Sequence, residues 1–174
     1  MGKTGERRAV ARSIPGAAAL AAGLLWASLA LPALAAPTSA RDRLAAATTV
    51  ARAWQADAQL VHVETKNADA QGRSPDWTYV FDSPAAKQQR LVFVFGADKP
   101  DLLPTSTVFK RPLAGFVDST RAMQEAVRQG LKTHGAGMSM SVTGGEPVQW
   151  RVLSGEHRFV IDAASGRFVT REKD

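Results

Sequence analysis

The chain contains the same order of elements twice, and this repeat constrains the fold more than any other feature of the sequence. Each copy has an amphipathic helix pattern followed by several short apolar runs. The first copy begins near Ser39, where Asp42 three residues later predicts a capping box. The second begins near Asp118, a residue type that favours a helix N-terminus. Because strands joined by short connections usually pair, the sequence predicts an α+β fold of two halves, each a helix packed on an antiparallel meander. The halves form either one compact domain or a tandem repeat.

The two helices are predicted from apolar residues that recur at helical spacing. The apolar face of the first helix is formed by Leu44, Ala47, Ala51 and Trp54. The face of the second is formed by Met123, Val127 and Leu131, with Ala122 and Ala126 beside them. Gly135 suits the C-terminal end of the second helix.

Seven short apolar runs predict strands. They cover residues 60–64, 77–81, 91–95, 138–142, 148–152, 159–162 and 168–170. Met138 and Met140 alternate with Ser139 and Ser141, a pattern typical of a strand with one buried and one solvated face. The proline-containing stretch between the halves predicts a connection with an edge strand near 107–111.

The first 36 residues have the features of a secretory signal peptide. Basic residues precede an alanine-rich apolar run, and a small-x-small step predicts cleavage after Ala35 or Ala36. The alternative is an uncleaved membrane anchor, because residues 14–36 are long enough to span a bilayer. We therefore expect a leader at 1–36, a first half at 37–95, a connection at 96–117 and a second half at 118–174. The expected location is the periplasm or the outside of the cell.

Charge and cysteine content argue against several functional classes. Residues 37–174 contain 18 basic and 15 acidic residues, a net charge of +3 without a run of Lys or Arg, so we expect no nucleic-acid partner. The chain has no cysteine, which excludes disulfides, a thiol nucleophile and a thiolate metal site.

Candidate catalytic and metal-binding residues are few. His62 and Glu64 form a His-x-Glu pair, but on a strand they share one face, and a solvated edge explains them. His62, His134 and His157 lie on separate predicted elements and would have to converge to bind zinc. No Gly-x-Ser-x-Gly motif is present. We expect no enzymatic activity, no metal site and no cofactor.

The segment HRFVIDAASGRF, residues 157–168, predicts a β-hairpin. Asp162 can accept hydrogen bonds from the turn, and Gly166 stands where a positive φ is required. Together with STRAMQEAVRQGLKTHG and VQWRV, this hairpin resembles the PepSY domain over about residues 118–171. The first half resembles a divergent second copy through PDWTYVF and QRLVFVF. The resemblance implies a cystatin-like α+β module of exported proteins that lacks catalytic residues and either binds or restrains a peptidase or serves as an interaction domain.

Two kinds of binding site are compatible with this fold. The first is a docking surface for an unidentified envelope protein or peptide on the polar face of the sheet, at Ser139, Ser141, Gln149, Arg151 and Arg158. The alternative is a carrier or sensor that holds a small apolar ligand in a helix–sheet cleft lined by Trp54, Trp77, Tyr79, Phe81 and Trp150. Membrane contact is expected only through a retained leader.

Overall fold

Both halves of the chain contribute to one antiparallel sheet of eight strands. The computed structural model describes residues 36–87, 89–95, 97, 99–104, 111–132, 135–142 and 145–173. The first half contains α1 (Leu44–Trp54), β1 (Gln59–Ala68), β2 (Thr78–Asp82), β3 (Gln89–Val94) and β4 (Asp101–Pro104). The second half contains α2 (Ser119–Arg128), β5 (Ala136–Ser141), β6 (Gln149–Ser154), β7 (His157–Asp162) and β8 (Phe168–Lys173). The α+β fold class is confirmed.

Strand order shows how the two meanders join. The order across the sheet is β4-β3-β2-β1-β5-β6-β7-β8, and every neighbouring pair is antiparallel. The first strand of each meander, β1 or β5, therefore lies at the centre of the sheet. The register pairs His62 with Ser141 and Glu64 with Ser139 across this seam.

The core lies between the helices and one face of the sheet. Val63, Met140, Trp150 and Ile161 lie opposite one another on adjacent strands and are fully buried. The two helices add the small side chains of Ala47, Ala51, Ala122 and Ala126 to the same core cluster. Small residues at these positions let the helices approach the large aromatic rings of the sheet closely.

The segments before the two helices are held in a similar way, although the N-caps differ: Arg43 of α1 makes no side-chain capping bond, whereas Asp118 caps α2. Ser39 and Asp42 exchange backbone-to-side-chain hydrogen bonds of 2.9 and 3.3 Å one turn before α1, and Asp118 accepts from the backbone N–H of Ser119 at the start of α2. The indole N–H of Trp77 donates to the carbonyl of Thr38 at 2.8 Å. In the second half, the indole of Trp150 donates to the carbonyl of Val117 at 2.9 Å. A tryptophan at the start of, or immediately before, the second strand of each meander thus holds the segment that leads into its helix.

The end of α2 differs from the sequence prediction. The helix ends at Arg128, and Gly130 has a φ of 94°. The backbone N–H groups of Gly130 and Leu131 donate to the carbonyls of Val127 and Ala126, which is a Schellman termination. Gly135 lies beyond this turn and does not end the helix. Leu131 is buried but lies outside the helix.

The sequence predicts Val127 on the buried face of α2, whereas in the structure it is 42% exposed. The buried residues of the helix include Ser119, Ala122 and Glu125, so the face towards the sheet is rotated away from Val127. A prediction from apolar spacing alone assigns Glu125 to the exposed side, and it therefore places the buried face of α2 incorrectly.

β4 is an edge strand that the sequence analysis did not include. It covers 101–104 and pairs with β3. The edge strand predicted near 107–111 falls mostly on residues 105–110, which lie outside the described part of the chain, as do residues 1–35 of the predicted leader at 1–36 and His134. Within the described ranges, no helix has the length and hydropathy needed to cross a membrane.

Candidate functional site

The five polar residues proposed as a docking surface lie on the outer face of the sheet, the face opposite the helices. Ser139 lies opposite Arg151, Ser141 opposite Gln149, and Arg158 opposite Leu153 on adjacent strands β5, β6 and β7. All five are half-buried. Met140 and Trp150, which alternate with these polar residues along β5 and β6, belong instead to the core row with Val63. The structure therefore brings the predicted residues together on one solvent-accessible surface.

The two arginines of this surface have acidic partners. Arg158 lies 3.3 Å from Glu172 on β8, directly opposite it in the register. Arg151 lies 3.7 Å from Glu146 in the loop before β6. Both glutamates are exposed, so these ion pairs contribute little to stability. A carboxylate of a binding partner could therefore replace either glutamate.

His62 and Glu64 extend the surface onto β1. Their side chains lie 3.2 Å apart, and the hydrogen bond from His62 holds the pKa of Glu64 below its usual range. The pair shares one face, as expected, but the interpretation of a solvated edge is wrong. β1 is the fourth strand of eight, between β2 and β5, and the side chain of His62 is only 15% exposed.

Apolar side chains form part of the same face. Val160 lies opposite Arg151 and is buried, and Val80 lies opposite His62 and is buried as well. Neither belongs to the main core cluster. The methylene groups of neighbouring long side chains can cover such valines while their charged ends stay in water. Arg90 and Asp82, 3.3 Å apart, lie towards the β4 end of this face, where burial raises the pKa of Asp82 against the opposing effect of Arg90.

The aromatic residues proposed as a cleft lining are core residues. Trp77, Tyr79, Phe81 and Trp150 are at most 1% exposed, and Trp54 is half-buried against the core cluster. Trp150 makes edge contacts with Trp77 and with Phe116 at ring-centre distances of 6.2 and 6.1 Å. The hydroxyl of Tyr79 donates to the carbonyl of Ala40, and burial raises its pKa. These rings pack against one another and do not face an open cleft.

The histidines do not form a metal site among the described residues. His62 lies on the outer face, whereas His157 begins β7 opposite Ser154 and Lys173. His134 lies outside the described residues. No group of three His, Asp or Glu side chains with the spacing for a metal ion occurs in the described part of the chain.

The turn of HRFVIDAASGRF is a hairpin corner. Asp162 accepts from the backbone N–H of Ser165 at 2.7 Å and from its hydroxyl at 2.6 Å, and these bonds lower the pKa of Asp162. Gly166 has a φ of 71°. Both residues thus have the conformational roles that the sequence indicated.

One group of charged residues was missed by the sequence analysis. Arg73, Arg121, Arg128 and Arg167 surround the exposed side of α2. They come from a loop, a helix and a hairpin turn far apart in the sequence, so no local charge run marks them.

The comparisons with known proteins support the fold. No family model matches the chain, and no curated protein matches it. A crystal structure from Clostridium difficile 630, of a protein provisionally described as a lipoprotein, is similar over 75% of this chain and 92% of that chain. The sequence identity is 13% and the TM-score is 0.51. At this identity the similarity shows a shared helix-plus-antiparallel-sheet fold.

Proposed function

We propose that the protein is an exported, non-catalytic binding module that contacts a protein or peptide through the outer face of its sheet. The observation that carries the proposal is the gathering of Ser139, Ser141, Gln149, Arg151 and Arg158 on three adjacent strands of that face. Arginine is enriched in protein interfaces, and the side chain of Gln149 can exchange hydrogen bonds with a partner across the same face.

Export is supported by two independent features. The first 36 residues have the order of a signal peptide. The structurally similar protein from Clostridium difficile 630 is provisionally described as a lipoprotein, a class of exported protein. The absence of cysteine is compatible with an envelope location because the buried core, rather than disulfides, stabilises the domain.

The resemblance of residues 118–171 to the PepSY domain supports a more specific version of this proposal. In that version the partner is an envelope peptidase whose activity the module restrains. The rival function, a carrier of a small apolar ligand, would require the helix–sheet interior to open, because Trp77, Tyr79 and Trp150 are fully buried.

A capture experiment tests the proposal. The protein, purified after export, is used as bait in an envelope extract, and the bound proteins are identified by mass spectrometry. The double variant Gln149→Glu with Arg151→Glu changes the charge of the outer face. The matched control is Arg52→Glu with Gln55→Glu, which makes the same change of charge at the end of α1. We expect a stoichiometric partner that the outer-face variant loses and the control retains.

Two results would contradict the proposal. Loss of the partner with both variants would place the interface elsewhere or show a general charge effect. Recovery of the protein without a partner but with a small apolar molecule, detected by native mass spectrometry, would favour the carrier function. A captured peptidase can then be assayed with and without the purified protein to test restraint directly.

A further inference from the structure

A second charged surface lies on the helix side of the molecule, opposite the outer face. It is centred on α2 and includes Arg73, Arg121, Arg128 and Arg167, which we call the arginine cluster. Arg121 and Arg128 belong to α2, Arg73 to the β1–β2 connection, and Arg167 to the β7–β8 turn. All four are exposed.

Two hollows flank α2 beneath these arginines. The first, of about 470 Å³, lies between the helix and the loop that contains Ala70, Gln71 and Arg73. The second, also of about 470 Å³, lies between the helix and the turn that contains Gly166 and Arg167. Arg121 lines both, so the two hollows are adjacent.

The positive charge of the cluster is only partly compensated. Glu125 binds Arg128 through contacts of 2.6 and 2.9 Å and also accepts from Gln129, so this carboxylate is already occupied. Arg121 donates to the neutral amide of Gln124. Within the described ranges, neither Arg121 nor Arg167 has a carboxylate within ion-pair distance.

Nearby acids are bound by backbone groups. Asp69 accepts from the backbone N–H groups of Gln71 and Arg73, and Asp118 accepts from Ser119 and Arg41. These carboxylates stabilise a loop and a helix start, and they are not oriented towards the arginines by any hydrogen bond. The outer face differs, because there Arg151 and Arg158 are paired with glutamates.

The position of Arg121 is also constrained. A side-chain carbon at Gly166 would lie 3.1 Å from Cγ of Arg121, so the arginine stem packs over the hairpin turn. Contact with the turn limits the rotamers of the stem and lowers the entropy cost of binding a partner.

We infer that the arginine cluster binds an acidic polypeptide segment, with carboxylates at Arg121 and Arg167 and neighbouring side chains in the two hollows. Guanidinium groups bind carboxylates in bidentate geometry. Recesses on both sides of a protruding helix suit the separate side chains of a peptide, whereas a flat membrane surface would leave them unfilled. Val127, 42% exposed, supplies an apolar contact in the first hollow. This surface is distinct from the outer face, and it can be tested separately.

The test uses a short fluorescein-labelled poly-L-glutamate and the full exported protein, with binding followed by fluorescence anisotropy at low salt. The variant Arg121→Gln with Arg167→Gln removes two of the cluster charges that have no carboxylate at ion-pair distance. The matched control Arg52→Gln with Lys66→Gln removes the same charge from exposed sites outside the hollows. We expect the cluster variant to bind at least about tenfold more weakly and the control to change affinity by less than about twofold.

A charge-retaining variant separates recognition from folding. Arg121→Lys with Arg167→Lys should recover part of the lost affinity, and urea unfolding should give similar midpoints for all three double variants. Binding should weaken as salt rises, because exposed charges are screened.

Several outcomes would overturn the inference. These are no binding of poly-L-glutamate by the unmodified protein, an equal loss in the control, or full binding by the cluster variant. Tighter binding of polyphosphate or of phosphatidylglycerol vesicles, with the same dependence on Arg121 and Arg167, would assign the cluster to phosphate groups instead of a polypeptide. None of these outcomes depends on whether the outer face binds a partner.

Discussion

At the scale of single residues, Gly72 joins the two halves. Its φ is 73°, and its carbonyl accepts from the hydroxyl of Ser119, which in turn accepts from the backbone N–H of Ala40. A side-chain carbon at Gly72 would lie 2.5 Å from the carbonyl oxygen of Ser119 and 2.8 Å from Cβ of Met123. The β1–β2 connection can therefore approach α2 this closely only with glycine at this position.

We predict that Gly72→Ala lowers the free energy of unfolding by about 2–4 kcal/mol, because it adds a steric clash to an unfavourable backbone conformation. Gly155→Ala is the control, since Gly155 has a φ of 59° but open space around it. It should cost about 1–2 kcal/mol. Urea unfolding measures both, and equal losses would show that the close approach to α2 adds nothing.

Glu125 provides a second prediction at this scale. Hydrogen bonds from Arg128 and Gln129, together with the backbone N–H of Phe168, lower its pKa to about 2. Because this pKa lies below the ordinary value of 4.5, the carboxylate stabilises the fold above about pH 4.5, and this contribution is lost as pH falls towards 2.

Replacement of Glu125 by Gln should therefore lower stability at pH 7, and the difference from the unmodified protein should shrink between pH 4.5 and 2. Glu172→Gln, which removes a largely exposed partner of Arg158, should cost less than about 1 kcal/mol at pH 7. Chemical unfolding at several pH values measures both variants. A difference for Glu125→Gln that stays constant with pH would contradict the assignment.

At the scale of elements, the two tryptophans have equivalent roles. Trp77, immediately before β2, and Trp150, on β6, each donate to a carbonyl in the segment that precedes the helix of their half. Phenylalanine at either position would remove the indole hydrogen bond and leave a small void in the core, although the carbonyl of Thr38 would keep its bond from the backbone N–H of Ser74. We predict that Trp77→Phe and Trp150→Phe each cost about 1–3 kcal/mol, measured by urea unfolding. A loss at one position alone would show that the halves use their tryptophans differently.

Most elements could be predicted from the sequence because local patterns determine them. Alternation of Met138 and Met140 with serines placed β5, and Asp118 placed the start of α2. The end of α2 was wrong because two glycines, Gly130 and Gly135, could each stop a helix. The nearer one does so, since the buried Leu131 anchors the turn that follows it.

The candidate sites were less predictable because they depend on register. Arg158 and Glu172 are 14 positions apart and meet only because β7 and β8 pair with a particular offset. The arginine cluster forms only because the β1–β2 connection and the β7–β8 turn lie on either side of α2. The aromatic residues led to the incorrect prediction of a ligand cleft. Large rings at alternating positions indicate burial, but they do not show whether the interior contains a cavity.

At the scale of the whole molecule, the two halves share one sheet and one core. β1 and β5 join the meanders at the centre, and the bonds among Ala40, Gly72 and Ser119 join them again on the helix side. The core cluster contains residues from both halves. A molecule built in this way should unfold in one step, although each half has the full set of elements of a separate module.

Native-state hydrogen exchange tests this cooperativity. We predict that the slowest amides of β2 and of β6 exchange with the same free energy of opening, because both require global unfolding. Gly72→Ala, in the first half, should lower the two values by the same amount, and Gly155→Ala, in the second, should do likewise. If Gly72→Ala lowered protection in β2 and left β6 unchanged, the halves would be separate cooperative units. The β1–β5 seam would then be an interface between two modules instead of the interior of one.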